Sequence, residues 1–138
     1  MTELERLRRL IASDPYACSL GIELLELRPG YSRLAMVLRA AMVNFHGAPH
    51  GGAIFSLADA AFAAAANSHG EAAVALTMTI HYLSTVPPGT RLLAEGRELR
   101  RGRQAGFYRI EVTTEAGEPV AACQAVVHRR GRPVGPPQ

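Results

Sequence analysis

The sequence predicts an α+β domain in which an antiparallel sheet wraps one long apolar helix. Residues 51–67 read as that helix, and it is apolar on nearly every side. A helix of this kind has to be enclosed by other structure rather than half exposed. Strand-like runs are grouped on either side of it, two before and four after, instead of alternating with helices, which favours a segregated α+β layout. The chain of 138 residues is long enough for one core and short for two.

Leu4, Leu7, Leu10 and Ile11 recur at helical spacing, so residues 3–12 form a short amphipathic helix. It ends before Asp14-Pro15, which reads as a turn. Residues 21–27 and 31–39 are strands separated by the turn signal Pro29-Gly30. A loop rich in turn residues, Asn44 to Gly52, feeds the central helix, and Asn67-Ser68-His69-Gly70 stops it. Strands follow at 72–83, 90–100, 104–114 and 118–129. In the first of these, Val74, Leu76, Met78, Ile80 and Tyr82 alternate cleanly. Residues 1–130 make a single domain, and the Pro- and Gly-rich segment 131–138 is expected to be a flexible tail.

Composition narrows the classes of function. The net charge is +3, and every one of the 15 basic residues is arginine. This modest balance suits a protein that handles anionic substrates and does not call for nucleic acid. Aromatic residues are only 6 % of the chain, too few for base-stacking platforms. The N-terminus is interrupted by charges and lacks the apolar core of a secretory signal. No uncharged apolar run reaches the roughly 20 residues of a spanning helix, so a cytoplasmic protein with no membrane partner is expected. Cys18 and Cys123 fall in apolar surroundings outside any CxxC pattern, and are expected to be buried thiols in a reducing compartment.

Asp59 is the residue that stands out. It is the sole formal charge between Ala40 and Gly70, and the chain has only one other aspartate, Asp14. A carboxylate amid Leu57, Ala58, Ala60, Ala61 and Phe62 is costly to desolvate without compensation. Either it serves chemistry, or it is a carboxylate hydrogen-bonded within the core or at an exposed helix edge. His50-Gly51-Gly52 lies where loop becomes helix. Backbone N–H groups there point outward with the positive end of the helix dipole behind them. Glycine allows a ligand oxygen close approach, so this is a site for a carbonyl oxygen gaining negative charge. Taken alone, the two glycines serve equally to permit a tight turn.

Asn44 either steadies such an oxyanion or closes the loop as an Asx-turn. His46 and His50 are four apart, yet Gly47 and Pro49 rule out a regular helix between them and no third ligand is evident, so no metal is expected. Arg100, Arg101 and Arg103 crowd one turn, and Arg129, Arg130 and Arg132 the chain end. They either meet phosphates or simply keep an edge solvated. Gly52 and Asp59 are seven residues apart, about 10 Å along a helix axis. One carbonyl group cannot easily meet both from the same chain. If they act together they come from two chains, which predicts an active site at a dimer interface.

Asn44 with His50-Gly51-Gly52-Ala53-Ile54-Phe55-Ser56-Leu57-Ala58-Asp59 resembles the signature of the hotdog-fold thioesterases, and specifically of their phenylacetate-pathway (PaaI-type) branch. The likeness continues through Asn67-Ser68, Ile80-His81-Tyr82-Leu83, Arg101-Gly102-Arg103-Gln104 and Phe107-Tyr108-Arg109-Ile110, over about residues 15–130. The resemblance implies an antiparallel sheet curled round the central helix, dimers that pair their sheets edge to edge, and commonly tetramers. It implies hydrolysis of an acyl-coenzyme A, of aryl-acetyl or ring-derived type, to free acid and CoA without metal or cofactor. Gly52 would supply the oxyanion donor with Asn44 assisting, and Asp59 of the neighbouring chain would act as general base or nucleophile. Thr77 would be an added hydroxyl. His50, His81, Tyr82, Leu83, Gly102 and Arg103 would line the CoA channel. The chain has no Asn-Pro, which the hydratases of this fold carry, and has Asp59 where the glutamate branch has Glu. A non-catalytic acyl-CoA-binding protein using the same pocket is the rival reading.

Overall fold

The computed structural model describes residues 1–137. Helix α1 spans Glu3–Ala12 and α2 spans Pro15–Ser19. Strands β1 (Glu23–Arg28) and β2 (Tyr31–Val37) precede a short 3-10 turn at Ala40–Met42 and the central helix α3 (Gly51–Asn67). Strands β3 (Glu71–Tyr82), β4 (Arg91–Arg101), β5 (Ala105–Thr114) and β6 (Pro119–Pro133) complete the chain. All six strands form one sheet in the order β1-β2-β4-β5-β6-β3, with every neighbouring pair antiparallel.

The sheet buries α3 by period-two alternation. Gly106, Tyr108, Ile110 and Val112 of β5 face inward, while Phe107, Arg109 and Glu111 face out. From α3, Leu57, Ala58, Ala61, Phe62 and Ala65 are fully buried against them, and the Phe62 and Tyr108 rings meet at 5.7 Å. Small residues let the helix lie close. A Cβ on Gly96 of β4 would sit 2.7 Å from the Ala61 carbonyl oxygen, to which the buried Ser32 hydroxyl donates at 2.6 Å. The C-terminal end of α3 is tied to the sheet by Asn67, whose Nδ2 donates to the Ala63 carbonyl at 2.8 Å and whose Oδ1 accepts from the Ala73 N–H at 2.9 Å.

Four local expectations change. Asp14-Pro15 starts a helix rather than a turn: the Asp14 carboxylate caps the Ala17 N–H, and Pro15 takes a first-turn position whose N–H would be unused. Cys18, which this helix carries, is therefore exposed and only Cys123 is buried. In β3 a bulge between Ala75 and Thr77 breaks the alternation. Met78 and Ile80 pack on the core, but Val74 and Leu76 are exposed, because one inserted residue switches every side chain before it to the other face. Finally, β6 continues past residue 130 to Pro133. The Glu71 carboxylate bonds both Arg129 (Nη2, 2.7 Å) and the Gly131 N–H (2.9 Å), and the Val134 N–H donates to the Gly70 carbonyl. Residues 131–134 are thus held against the domain instead of forming a tail from Gly131 onward; Gln138 lies outside the described residues.

Candidate active site

The loop before α3 is closed by Asn44. Its Oδ1 accepts from the His46 N–H (2.9 Å) and the Ala48 N–H (3.2 Å), an Asx-type closure. Among the described residues its Nδ2 has no partner, so the loop-shaping role leaves the amide donor available. The His50 N–H donates to the Met42 carbonyl at 2.6 Å, which fixes where α3 begins. The His50 side chain then caps the helix: Nδ1 accepts from the Gly52 N–H at 2.9 Å. The Gly52 donor expected to be free is therefore occupied in this conformation. The Gly51 N–H is the one without a partner among the described residues. His46 is exposed beside the exposed Phe45 ring, 4.3 Å away, and does not converge with His50 on a common ligand.

Asp59 lies about two turns further along α3 than Gly52, on the wall of a cleft of about 680 Å³ between α3 and the α1–α2 arm. Among the described residues nothing hydrogen-bonds or ion-pairs with its carboxylate. The side chain is reachable from solvent, yet the apolar walls remove enough water to push its pKa up from the ordinary aspartate range, with the Asp14 charge adding to the shift. Both aspartates of the chain line this one cleft. The site thus holds an unpaired carboxylate with enhanced basicity, as general-base chemistry requires.

The remaining candidates do not gather around Asp59 within one chain. Tyr82 reaches α3, its hydroxyl donating to the Gly51 carbonyl at 2.9 Å. His81 alternates to the opposite face, beside Arg109 and Glu111 in a shallow depression. Leu83 is exposed just beyond β3, its N–H bonded to the Val120 carbonyl. The bulge sets Thr77 opposite Val126, on the face away from α3. Gly102 and exposed Arg103 form the β4–β5 turn, where Arg129 donates to the Gly102 carbonyl at 2.6 Å. That turn adjoins the Glu71 end of β3, whereas Tyr82 and Gly51 adjoin the other end.

Sequence reasoning missed Tyr16, Ser56 and Asn67, all of which line the cleft. Ser56 donates to the Gly52 carbonyl at 2.9 Å, which leaves Tyr16 as the donor in its 3.0 Å bond to the Ser56 hydroxyl. A partial signal was present: Ser56, Ala60, Ala63 and Asn67 recur at helical spacing as a small and polar stripe of α3. Tyr16 carried no such signal, because its place depends on α2.

Comparison with known proteins fits this geometry. The family model described as the thioesterase superfamily matches residues 46–121. The acyl-coenzyme A thioesterase PaaI of Escherichia coli is 40 % identical over 119 residues, which cover 86 % of this chain and 85 % of that protein. The solved structure of the E. coli PaaI protein from the phenylacetic acid degradation operon superposes with a TM-score of 0.90 at 34 % identity, covering 97 % of this chain and all of that one (100 %). A Streptococcus mutans protein solved bound to acetyl CoA superposes with a TM-score of 0.78 at 26 % identity, over 82 % of this chain and 91 % of that one. The six-stranded antiparallel sheet around α3 is the hotdog fold, and the chain belongs to the thioesterase superfamily.

Proposed function

We propose that this protein hydrolyses an acyl-CoA thioester to a free acid and CoA at a site shared between two chains. The observation that carries the reading is the unpaired Asp59 carboxylate on a cleft wall, with its pKa raised by desolvation. The similarity to an acyl-CoA thioesterase and to a structure holding acetyl CoA supports the substrate class. The operon named for the E. coli relative supports an aryl-acetyl or ring-derived acyl group.

The sharing follows from the edge strand. β3 is twelve residues long, ends the sheet, and exposes Val74, Leu76 and Tyr82. An uncovered apolar edge of this kind favours pairing with a second copy. Antiparallel two-fold pairing of β3 with its copy sets the Glu71 end of one chain beside the Tyr82 end of the other. The Gly102-Arg103 turn of one chain then approaches the start of α3 in its partner, with Tyr82 and Leu83. Neither chain alone achieves that. Two such dimers stacking as a tetramer are part of the same reading, as is a cytoplasmic location; no helix among the described residues is long and apolar enough to cross a membrane.

In the reaction, Asp59 takes a proton from water as the water oxygen bonds to the thioester carbonyl carbon. The developing oxyanion takes the Gly52 N–H in place of His50 Nδ1, with the Asn44 amide as a second donor. The C–S bond breaks, and the proton passes to the departing CoA thiolate. Alternatively Asp59 attacks the carbonyl carbon directly, and water then opens the resulting anhydride. No step calls for a metal or a separate cofactor. Thr77 and His81, which face away from α3, act if at all through the partner's side of the interface.

The purified protein is expected to release thiol from phenylacetyl-CoA in the presence of a thiol reagent. Tight CoA binding with no thiol release from any acyl-CoA would replace catalysis with binding alone. The pH profile carries a second expectation. Catalysis needs ionised Asp59, so kcat/KM falls as pH drops through a pKa above the ordinary aspartate value of 3.8. Asp14→Asn removes the neighbouring charge while keeping a helix-capping residue. The acid limb of the profile should move to lower pH in that variant; an unmoved limb would show that Asp14 does not act on the base.

A further inference from the structure

Building on the thioesterase reading, we propose that Glu71 is a positioning residue for the phosphate-bearing end of CoA: acting through Arg129, it sets the shape of the β4–β5 turn that this end of the substrate meets. Glu71 is the first residue of β3, and its carboxylate gathers segments remote in sequence. Oε1 accepts from Arg129 at Nη2 (2.7 Å) and Nε (3.0 Å) and from Arg101 Nη2 (3.2 Å). Oε2 accepts the Gly131 N–H at 2.9 Å. The remaining arm of the Arg129 guanidinium donates through Nη1 to the Gly102 carbonyl at 2.6 Å.

One planar fork therefore spans the carboxylate and the turn, and two bonds to Glu71 fix its orientation. The other ties of the turn are two backbone bonds. The Gly102 N–H donates to the Ala105 carbonyl and the Arg129 N–H to the Gln104 carbonyl, each at 2.8 Å. The side chains of Arg103 and Gln104 are exposed and add no hydrogen bond among the described residues. Loss of Glu71 leaves the Arg129 fork free to turn away from Gly102.

The charge at this corner points beyond a purely structural tie. Arg100, Arg101, Arg103, Arg129, Arg130 and Arg132 fall on the strand ends and the turn that Glu71 joins. Among the described residues, Glu71 is the one carboxylate that hydrogen-bonds any of these six. It engages Arg101 and Arg129. Arg100, Arg103, Arg130 and Arg132 are exposed, and their side chains have no hydrogen-bond or ion-pair partner among the described residues. Glu71 itself is largely buried beside the turn, so it orders the corner and leaves four cations for an anion. A loop already held in its binding form loses less freedom when the ligand arrives.

Two opposed effects separate this role from plain electrostatics. Removing a carboxylate beside arginines raises the local positive potential, so by charge alone an anionic ligand binds more tightly. Releasing Arg129 loosens the turn, so by positioning it binds more weakly. In Glu71→Gln, KM for phenylacetyl-CoA is expected to rise about fivefold or more, with kcat within about twofold. The same variant is expected to keep kcat/KM within about twofold for S-phenylacetyl-N-acetylcysteamine, which has the same acyl group and no phosphates. Arg129→Lys keeps the charge and loses the fork; it is expected to raise KM for phenylacetyl-CoA likewise, and the double variant no further. A KM for phenylacetyl-CoA that stays level or falls in these folded variants would overturn the proposal. An equal loss on both thioesters would do the same, since it marks a residue that only holds the fold. If the parent turns over no thioester, the thioesterase reading fails separately. Calorimetric titration of parent and variants with CoA then decides: binding about fivefold weaker in the variants supports the positioning role, and equal or tighter binding overturns it.

Discussion

Asp59→Asn is expected to lower kcat for acyl-CoA hydrolysis by roughly 10²–10⁴-fold, the usual worth of a positioned general base, with affinity for CoA unchanged. Asparagine keeps the shape of the side chain and the cleft but cannot accept the proton of the attacking water or serve as the nucleophile. Folding should survive for a reason of sign. The pKa of Asp59 is higher in the folded chain than in the unfolded one, because the cleft walls and Asp14 disfavour the charged form. The folded state therefore binds the proton more readily. Ionised Asp59 destabilises the fold at neutral pH, and that cost disappears as the pH falls below the folded-state pKa. The asparagine variant removes the cost, so its unfolding midpoint at neutral pH should equal or exceed that of the parent. Thiol-release kinetics, urea unfolding and calorimetric titration with CoA check the three parts. Turnover within tenfold of the parent would remove Asp59 from the mechanism.

Gly96→Val carries the largest expected loss of stability, about 2–3 kcal/mol, the ordinary cost of overpacking a filled core. The added Cβ would meet two groups that cannot move independently. The Ala61 carbonyl at 2.7 Å is helix backbone, and the Ser32 hydroxyl at 2.9 Å is bonded to that same carbonyl. Relief comes only by lifting α3 off β4. Ala61 is two residues from Asp59, so the displacement also moves the carboxylate. A lower urea midpoint at an unchanged m-value, together with lower kcat, is the expected pair of readings. An unchanged midpoint would show that the helix does not lie this close to the sheet.

Several features were readable before the fold was known, each because its signal is local. The buried helix announced itself by lacking a polar face, since an apolar cylinder has to be covered. Asp59 was visible for the complementary reason, as the one charge in that stretch. The strand expected at 104–114 is found at Ala105–Thr114, bounded by local turn signals on both sides. The β3 pattern misled at Val74 and Leu76, because a bulge is a property of pairing with β6 and leaves no mark on the strand's own alternation. Cys18 misled in the same way: its surroundings in the chain are apolar, but α2 turns it to solvent.

The amino-acid sequence by itself determined the α+β class, the helix and most of the strands through spacings that act over a few residues, and it singled out Asn44, Gly52 and Asp59 as candidates. Only the tertiary structure decided that Asp14 and Asp59 share one cleft and that Tyr16 closes on Ser56. It also decided that Gly102 and Tyr82 stand at opposite ends of β3. These relations join segments whose approach is set by burying α3 against the whole sheet, and no window along the chain contains both partners of such a packing arrangement.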